Sequence, residues 1–545
     1  MRTIEVNGKS YIAIAGEVHN SNSSDSVYMK KVWKQAKDLG MNTLLLPATW
    51  EMIEPEEEIF NFEVIDKLIQ QARVNEMRII FLWFGSWKNA QCMYAPSWVK
   101  TNLSRFPRAE IEKGKTKITL PEFYGMPYTT LSYMGNQTCE ADAKAFATFM
   151  AHLKTVDEDT KTVIAVQVEN ETGIQGAVRE HSDRADQAFA DQVPKEFIIY
   201  LKNNTEQMDE KIKTIIEKCP DQGDWQTVFG EMAEEIFSTY MISGYVGKVA
   251  AAGKKEYNLP LLVNCWLDKE GDTDRKPGVY PAGGPVAKMM EIWKYQAKDI
   301  DIYAPDIYVR NFTDICDEYV KLDNPLFIPE TAIHSHCAPR LVYCVGHYHA
   351  AGYSPFGFED MGLPFQSMQG ILFGMDTSDP MLQIPQDKEE YAWCANTLNS
   401  MMNELTEAYG TLKLQAVISE KMDMTPWNIE NGILEMPQNS PENDTMFFEK
   451  FGFKILMNIP MISRKDGVCL ILQKNETTFY ILANGCVVTP FSLDEKTPNV
   501  DILKYEEGRF ENGKWIPGRR LNGDEAANIQ FDTYSLVKLE LFNYS

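Results

Sequence analysis

Glu171 and Glu330 each close an apolar, strand-like run. Val163-Ile164-Ala165-Val166-Gln167-Val168 is apolar but for Gln167, and it runs into Glu169-Asn170-Glu171-Thr172-Gly173. Continuous apolar text of this kind reads as a strand buried on both faces. Pro325-Leu326-Phe327-Ile328-Pro329-Glu330-Thr331 has the same design. An apolar strand that delivers a carboxylate at its C-terminal end is the layout of a barrel active site. A buried strand with a solvated polar end would look alike, so it is the second copy of the pattern that points to chemistry. Two carboxylates at one barrel mouth can split a glycosidic bond. One is protonated and donates to the leaving oxygen; the other is ionised and attacks the anomeric carbon. Enzymes that retain the anomeric configuration hold the pair about 5–5.5 Å apart. On this reading Glu171 is the acid/base and Glu330 the nucleophile, and Asn170 is placed to bond a sugar 2-hydroxyl. Glu169 rivals Glu171, because strand alternation puts both on one side; spacing alone does not choose.

The elements that must position these groups follow in order. Ser10 to Gly16 predicts a first strand, ending on Glu17-Val18-His19-Asn20. A helix with Met29, Val32, Trp33, Ala36 and Leu39 on one face stops at Gly40. Asn42 to Leu46 is a second strand, a helical face follows from Val64 to Ala72, and Arg78 to Phe84 is a third. This β-α-β-α-β spacing signals a parallel sheet. After strand four at Val163, the text predicts strands at Pro260–Trp266, Ile300–Ala304, Leu326–Pro329 and Gly352–Phe358, the last ending on Glu359-Asp360. Eight strands with helical spacers predict a (β/α)8 TIM barrel over residues 1–409. Long insertions follow strands three and four, including a helix from Pro194 to about Lys213. A helix from Lys388 to Ala408 closes the barrel. Beyond it, hairpins around Lys474-Asn475-Glu476 and Asn512-Gly513 predict an all-β, sandwich-like domain over 410–545.

Composition removes several function classes. The chain has 545 residues, 44% of them hydrophobic, and a formal charge of −25. Such an acid balance speaks against nucleic acid as a partner. No apolar run is long enough to span a membrane. The ten cysteines are scattered without C-x-x-C pairs and read as buried thiols rather than a disulfide frame. No signal peptide is evident before the first strand; export to a periplasm or medium would require that one had been removed, and the chain is otherwise expected in the cytoplasm. Asn170-Glu171-Thr172 is an N-glycosylation sequon inside the expected site, which favours a bacterial chain. Oligomeric state is not legible.

Gln167-Val168-Glu169-Asn170-Glu171-Thr172-Gly173 resembles the acid/base signature of glycoside hydrolase family 35, mostly β-galactosidases, in which the Glu after Asn is the acid/base. Gly16-Glu17-Val18-His19 resembles that family's first-strand motif, and Trp50 with Glu54-Pro55 its second-strand segment. Pro329-Glu330 matches the nucleophile strand of the clan shared with family 42. The run from Glu507 to Phe510 and from Trp515 through Glu525 looks like the accessory β-domain of a bacterial subgroup. The resemblance implies a retaining, exo-acting β-galactosidase on oligosaccharides or polysaccharides with terminal β-galactose, needing neither cofactor nor metal. It selects Glu171 over Glu169. It departs from the family at Pro47, where a Tyr is usual, and at Trp83-Phe84-Gly85-Ser86-Trp87-Lys88, where Cys-Ala-Glu-Trp is usual. Both segments contact the sugar in the family.

Secondary candidates are His19, Trp87, Trp266, Tyr308 and Glu359 as sugar contacts. Tyr308 could also orient Glu330, and Trp83, Trp87 and Trp266 read equally as core. His334, His336, Cys337, His347 and His349 form the one metal-like group, without a standard zinc spacing. Alternatives are a β-glucosidase or β-glucuronidase of the clan, a carbohydrate-binding barrel without turnover, and a metal-dependent hydrolase using these histidines.

Overall fold

A computed structural model describes residues 3–119, 121–123, 126–270, 273–321, 323–363, 384–420, 442–457 and 466–545. Eight parallel strands form one sheet: β1 (Ala13–Glu17), β2 (Thr43–Thr49), β3 (Arg78–Phe84), β4 (Val163–Val168), β5 (Leu261–Trp266), β6 (Ile302–Asp306), β7 (Phe327–Ile328) and β8 (Gly352–Tyr353). Their order is β6-β5-β4-β3-β2-β1-β8-β7, each strand beside its sequence neighbour. Just past the two outer strands, the Ile307 N–H donates to the Glu330 carbonyl at 3.0 Å, which brings β6 and β7 together and closes the ring. This is the (β/α)8 barrel expected from the sequence. β2, β4, β5 and β6 are buried along their whole length. That explains their unbroken apolar text: helices cover the outside and side chains fill the inside.

Strand ends differ from expectation where backbone chemistry intervenes. β8 stops at Tyr353 rather than running to Phe358, because Pro355 offers no N–H and Gly357 turns left-handed at φ 62 into the 3-10 turn Phe358–Asp360. The helix expected from Pro194 to Lys213 is two helices, Lys195–Asn203 and Glu210–Lys218. Asp209 caps the second by accepting the Lys211 N–H at 2.9 Å.

The C-terminal part is all β, in two antiparallel sheets. The described strands are β9 (Leu414–Ser419), β10 (Glu442–Phe447), β11 (Phe451–Met457), β12 (Gly467–Asn475), β13 (Thr478–Asn484), β14 (Cys486–Ser492), β15 (Asn499–Glu511), β16 (Lys514–Arg520), β17 (Ile529–Phe531) and β18 (Ser535–Tyr544). One sheet runs β9-β12-β13-β18-β15-β16 and the other β10-β11-β14-β17. Phe451, Phe453, Ile455 and Met457 alternate along β11 and share one apolar core with Ile471, Phe479 and Ile481 from the facing sheet. The Asn512-Gly513 hairpin has φ of 52 and 70, the primed turn that its sequence demands, and pairs Phe510 with Trp515.

By contacts, the chain divides into two compact units. One comprises Glu17–Trp33 and Thr43–Glu330; the other comprises Lys34–Asn42 and Thr331–Ser545 with the N-terminal segment through Gly16. Among the described residues no helix is long and apolar enough to cross a membrane.

Candidate active site

At the end of β4 the backbone leaves the strand. Glu169 and Glu171 both take positive φ, 63 and 44. Left-handed backbone is uncommon for residues with a side chain, and it concentrates at functional sites. Strand alternation therefore no longer applies, and the two glutamates part company. Glu169 is not in the cluster with Glu330: its Oε2 accepts the Trp87 N–H at 2.8 Å, and its carboxyl faces the charge of Asp142. Asp142 is held in turn by Trp83 Nε1 at 2.9 Å and Ser86 Oγ at 2.6 Å. Glu171 instead joins Glu330 and Asp306. One oxygen of each lies within 4.8 Å of the others.

Asn264 ties these groups together. Its Oδ1 accepts the Glu171 N–H at 3.0 Å, and its Nδ2 donates to Asp306 Oδ2 at 2.8 Å and to Glu330 Oε1 at 3.4 Å. Asn170 donates from Nδ2 to Glu330 Oε1 at 3.3 Å, while its Oδ1 accepts from Lys88 Nζ at 3.0 Å. Tyr308 donates to Glu330 Oε2 at 2.8 Å. Three donors thus converge on Glu330. They use lone pairs that a divalent cation bracketed by the three carboxyls would need, so the donor set fits an anionic nucleophile better than a metal. The loop after β3 is bonded to the loop after β4: Asn170 N–H donates to the Trp87 carbonyl at 3.3 Å and Ala90 N–H to the Glu171 carbonyl at 3.0 Å.

Burial sets the electrostatics. Glu171 is 7% exposed and Glu330 5%. Burial, then the charge of Glu330, push the Glu171 carboxyl up to about 8, against partial relief from Lys88 and Asp306. Burial, with the charges of Glu330 and Glu171, pushes Asp306 well above the carboxylate range. Burial likewise pushes Glu169 up, with Asp142 adding to it. Lys88 is fully enclosed; burial opposes its charge, but Glu330, Glu171, Glu17 and Asp306 outweigh that and hold it above its ordinary value.

The other sequence candidates are placed as follows. Asn170 bonds Glu330 and Lys88 and is wholly buried, as is the sequon it begins. Tyr308 bonds Glu330. Trp83 and Trp87 are wholly buried; the Trp87 indole N–H donates to the Gly173 carbonyl at 3.1 Å, and its ring meets Tyr245 edge-on. Trp266 is buried at the end of β5, and His19 is half-buried just after β1. Glu359 lies in the 3-10 turn Phe358–Asp360 of the second unit.

The histidine group is also in that unit. His336 Nδ1 pairs with Asp466, and His334 Nε2 lies 3.5 Å from Arg340. His347 stacks on Tyr343, and His349 Nδ1 accepts the Gly410 N–H at 2.9 Å. His334 and His336 are buried, whereas His347 is exposed and His349 half-buried.

Sequence reasoning passed over Lys88, Asn264 and Asp306. Asn264 was detectable as the one amide inside Leu-Leu-Val-Asn-Cys-Trp. Asp306 carries the same signal as Glu330, a carboxylate at a strand end. Lys88 lies in a segment noted for departing from family 35.

Residues 19–216 match the glycoside hydrolase family 42 model, described as β-galactosidase. Residues 395–531 match a model described as a domain of unknown function, DUF5597. No curated protein matches the chain in sequence. Among solved structures it is similar to a β-galactosidase from the psychrophilic Marinomonas ef1, at 10% identity over 73% of this chain and 61% of that one, with a TM-score of 0.45. A cold-adapted β-galactosidase from Rahnella sp. R3 shares 13% identity over 74% of this chain and 58% of that one, TM-score 0.45. A β-galactosidase from Bacillus circulans sp. alkalophilus shares 10% over 97% and 99%, TM-score 0.48. The chain spans less than two thirds of the length of the first two. The sequence match therefore lies with family 42 over the part of the barrel that carries Glu171, in the same clan as family 35.

Proposed function

We propose that this chain is a retaining, exo-acting β-galactosidase that hydrolyses terminal β-galactosides by double displacement. The observation that carries the reading is the trio of Glu171, Asp306 and Glu330, with oxygens within 4.8 Å of one another. Oxygens of Glu171 and Glu330 that approach within 4.8 Å agree with the roughly 5–5.5 Å between the two carboxyl groups of a retaining enzyme. Glu330 attacks the anomeric carbon, oriented by Tyr308, Asn170 and Asn264. Glu171, whose carboxyl is pushed up to about 8, holds its proton at neutral pH and gives it to the leaving oxygen. Once Glu330 is esterified, its charge is gone, the Glu171 pKa falls, and Glu171 becomes the base for water. The family 42 match and the family 35 motifs both favour galactose as the terminal sugar. The joined loops after β3 and β4 favour a closed-ended pocket and exo action. We take the all-β part from about residue 410 as an accessory domain.

One observation favours a second reading within the clan, a β-glucuronidase. Lys88 brings an ammonium beside the two glutamates, where a uronate carboxylate would find a partner. A panel of nitrophenyl β-glycosides decides between them. Cleavage of the β-galactoside with release of single galactose units from galactose-capped oligosaccharides is the expected result. Cleavage of the β-glucuronide alone would replace the sugar assignment, and cleavage of none would remove the glycosidase reading.

A further inference from the structure

The site holds three carboxyls where the proposed reaction uses two. Asp306 ends β6 and is 2% exposed. Its Oδ2 accepts from Asn264 Nδ2 at 2.8 Å. No amine, amide or hydroxyl donor among the described residues reaches its buried Oδ1. Yet one of its oxygens lies within 4.8 Å of an oxygen of Glu171 and of an oxygen of Glu330. An ionised carboxyl only accepts, so a bond between two carboxyls needs a proton on one of them. The proton of Glu171 is the one that must face the glycosidic oxygen and leave with it. A proton between Asp306 and Glu171, on the side of the Asp306 oxygen that no donor reaches, would then belong to Asp306.

Resting on the glycosidase reading above, we propose that Asp306 is a positioning residue that stays protonated throughout turnover and whose O–H holds the Glu171 carboxyl in place. The charges around it agree. Glu171, Glu330 and Glu17 face it with the thiol of Cys265 and the hydroxyl of Tyr308, and Lys88 is the cation that acts on the group. Four carboxyls, Asp306 included, that share this site with the Lys88 ammonium cannot all ionise. Burial, with the charges of Glu330 and Glu171, favours the neutral form of Asp306.

In the first half-reaction the bond from C1 to the leaving oxygen breaks, that oxygen takes the Glu171 proton, and Glu330 bonds to C1. Glu171 is left ionised, and the Asp306 O–H now donates to a full carboxylate, the stronger kind of hydrogen bond. In the second half-reaction the water oxygen bonds to C1, the ester bond to Glu330 breaks, and the water proton returns to Glu171. The Asp306 proton does not move. Asp306 acts through Glu171.

The decisive variant is Asp306→Asn. Its amide N–H replaces the carboxyl O–H, and its amide oxygen still accepts from Asn264. The alkaline limb of the kcat/KM profile on a nitrophenyl β-galactoside is expected where the parent's lies, and kcat above that of Asp306→Ala, because no donor and no charge is lost. Asp306→Ala should lose about tenfold to hundredfold, with the alkaline limb shifted up, because the ionised form of Glu171 loses a donor. Were Asp306 ionised, both variants would remove a negative charge beside Glu171. The limb would then shift down in both and Asp306→Asn would lose as much as Asp306→Ala, which would overturn the proposal. An activity-independent arm is the infrared difference spectrum of parent minus Asp306→Asn at neutral pH. Loss of a protonated-carboxyl band supports the proposal; loss of an ionised-carboxylate band overturns it. If the parent cleaves no glycoside at all, the functional reading fails, while the spectrum still decides which form Asp306 takes.

Discussion

Glu171 and Glu330 have the same side chain and opposite tasks, and the difference lies in what each touches. Glu330 accepts from Tyr308, Asn170 and Asn264, whereas Glu171 is buried beside the charge of Glu330 with an Asp306 oxygen within 4.8 Å. Catalysis as proposed needs Glu171 protonated, so kcat/KM should fall as pH rises through about 8. The same shift has a stability sign. The folded carboxyl binds its proton more tightly than its ordinary value of 4.5 allows, so folding stability falls as pH rises from 4.5 toward about 8. Glu171→Gln should therefore raise the melting temperature, by more above pH 8 than below pH 5 (both limits about a unit wide). For activity, Glu330→Gln should abolish turnover of every substrate, since the covalent bond cannot form. Glu171→Ala should lose about 10²–10⁴-fold on oligosaccharides but far less in the first step with an activated aryl glycoside. Added azide should then yield a β-glycosyl azide. Rescue in Glu169→Ala instead would exchange the two roles, against a geometry in which Glu169 accepts from the Trp87 N–H.

At the scale of elements, the barrel was legible because buried parallel strands leave unbroken apolar text. β3 runs over the same residues that the pattern predicts, Arg78–Phe84. The Asn512-Gly513 hairpin was legible because its turn type needs positive φ at both positions. What separates Glu169 from Glu171 was not legible, since it lies in two left-handed residues that no side-chain pattern announces; the family resemblance alone chose Glu171, and it is Glu171 whose carboxyl clusters with Glu330. Lys88 was hidden for a related reason. A lysine in a loop reads as solvated, and its burial depends on carboxylates from four other strand ends. Loop shape is thus where the site is made, and it is testable at Gly173. That residue has φ 146, and a Cβ there would stand 2.5 Å from Pro281 Cβ. Gly173→Ala should displace the loop that carries Glu171, cost about 1–3 kcal/mol in denaturant unfolding, and lower kcat more than an equally destabilising change elsewhere. An unchanged kcat would mean that the loop tolerates the shift.

At the scale of the whole molecule, the two compact units keep their ionisable groups for different ends. In the first, buried carboxyls surround the candidate site. In the second, Arg340 is fully buried and paired twice with Glu420, from Nε at 2.5 Å and Nη2 at 3.0 Å, while His336 pairs with Asp466. Of the histidine-rich stretch, His334 and His336 thus belong to the interior of that unit, while His347 is exposed. Arg340→Met should destabilise it by about 3–5 kcal/mol, because Glu420 is left without its partner, and thermal unfolding would register this. The central claim is that Glu330 becomes covalently bonded to the sugar. The measurement closest to it is trapping with a 2-deoxy-2-fluoro-β-galactosyl fluoride, followed by intact mass and peptide mapping. The account predicts one adduct per chain, on the peptide that contains Glu330, and none in Glu330→Gln. An adduct on Glu171, Asp306 or another carboxylate, or turnover of β-galactosides with inversion and no adduct, would contradict it.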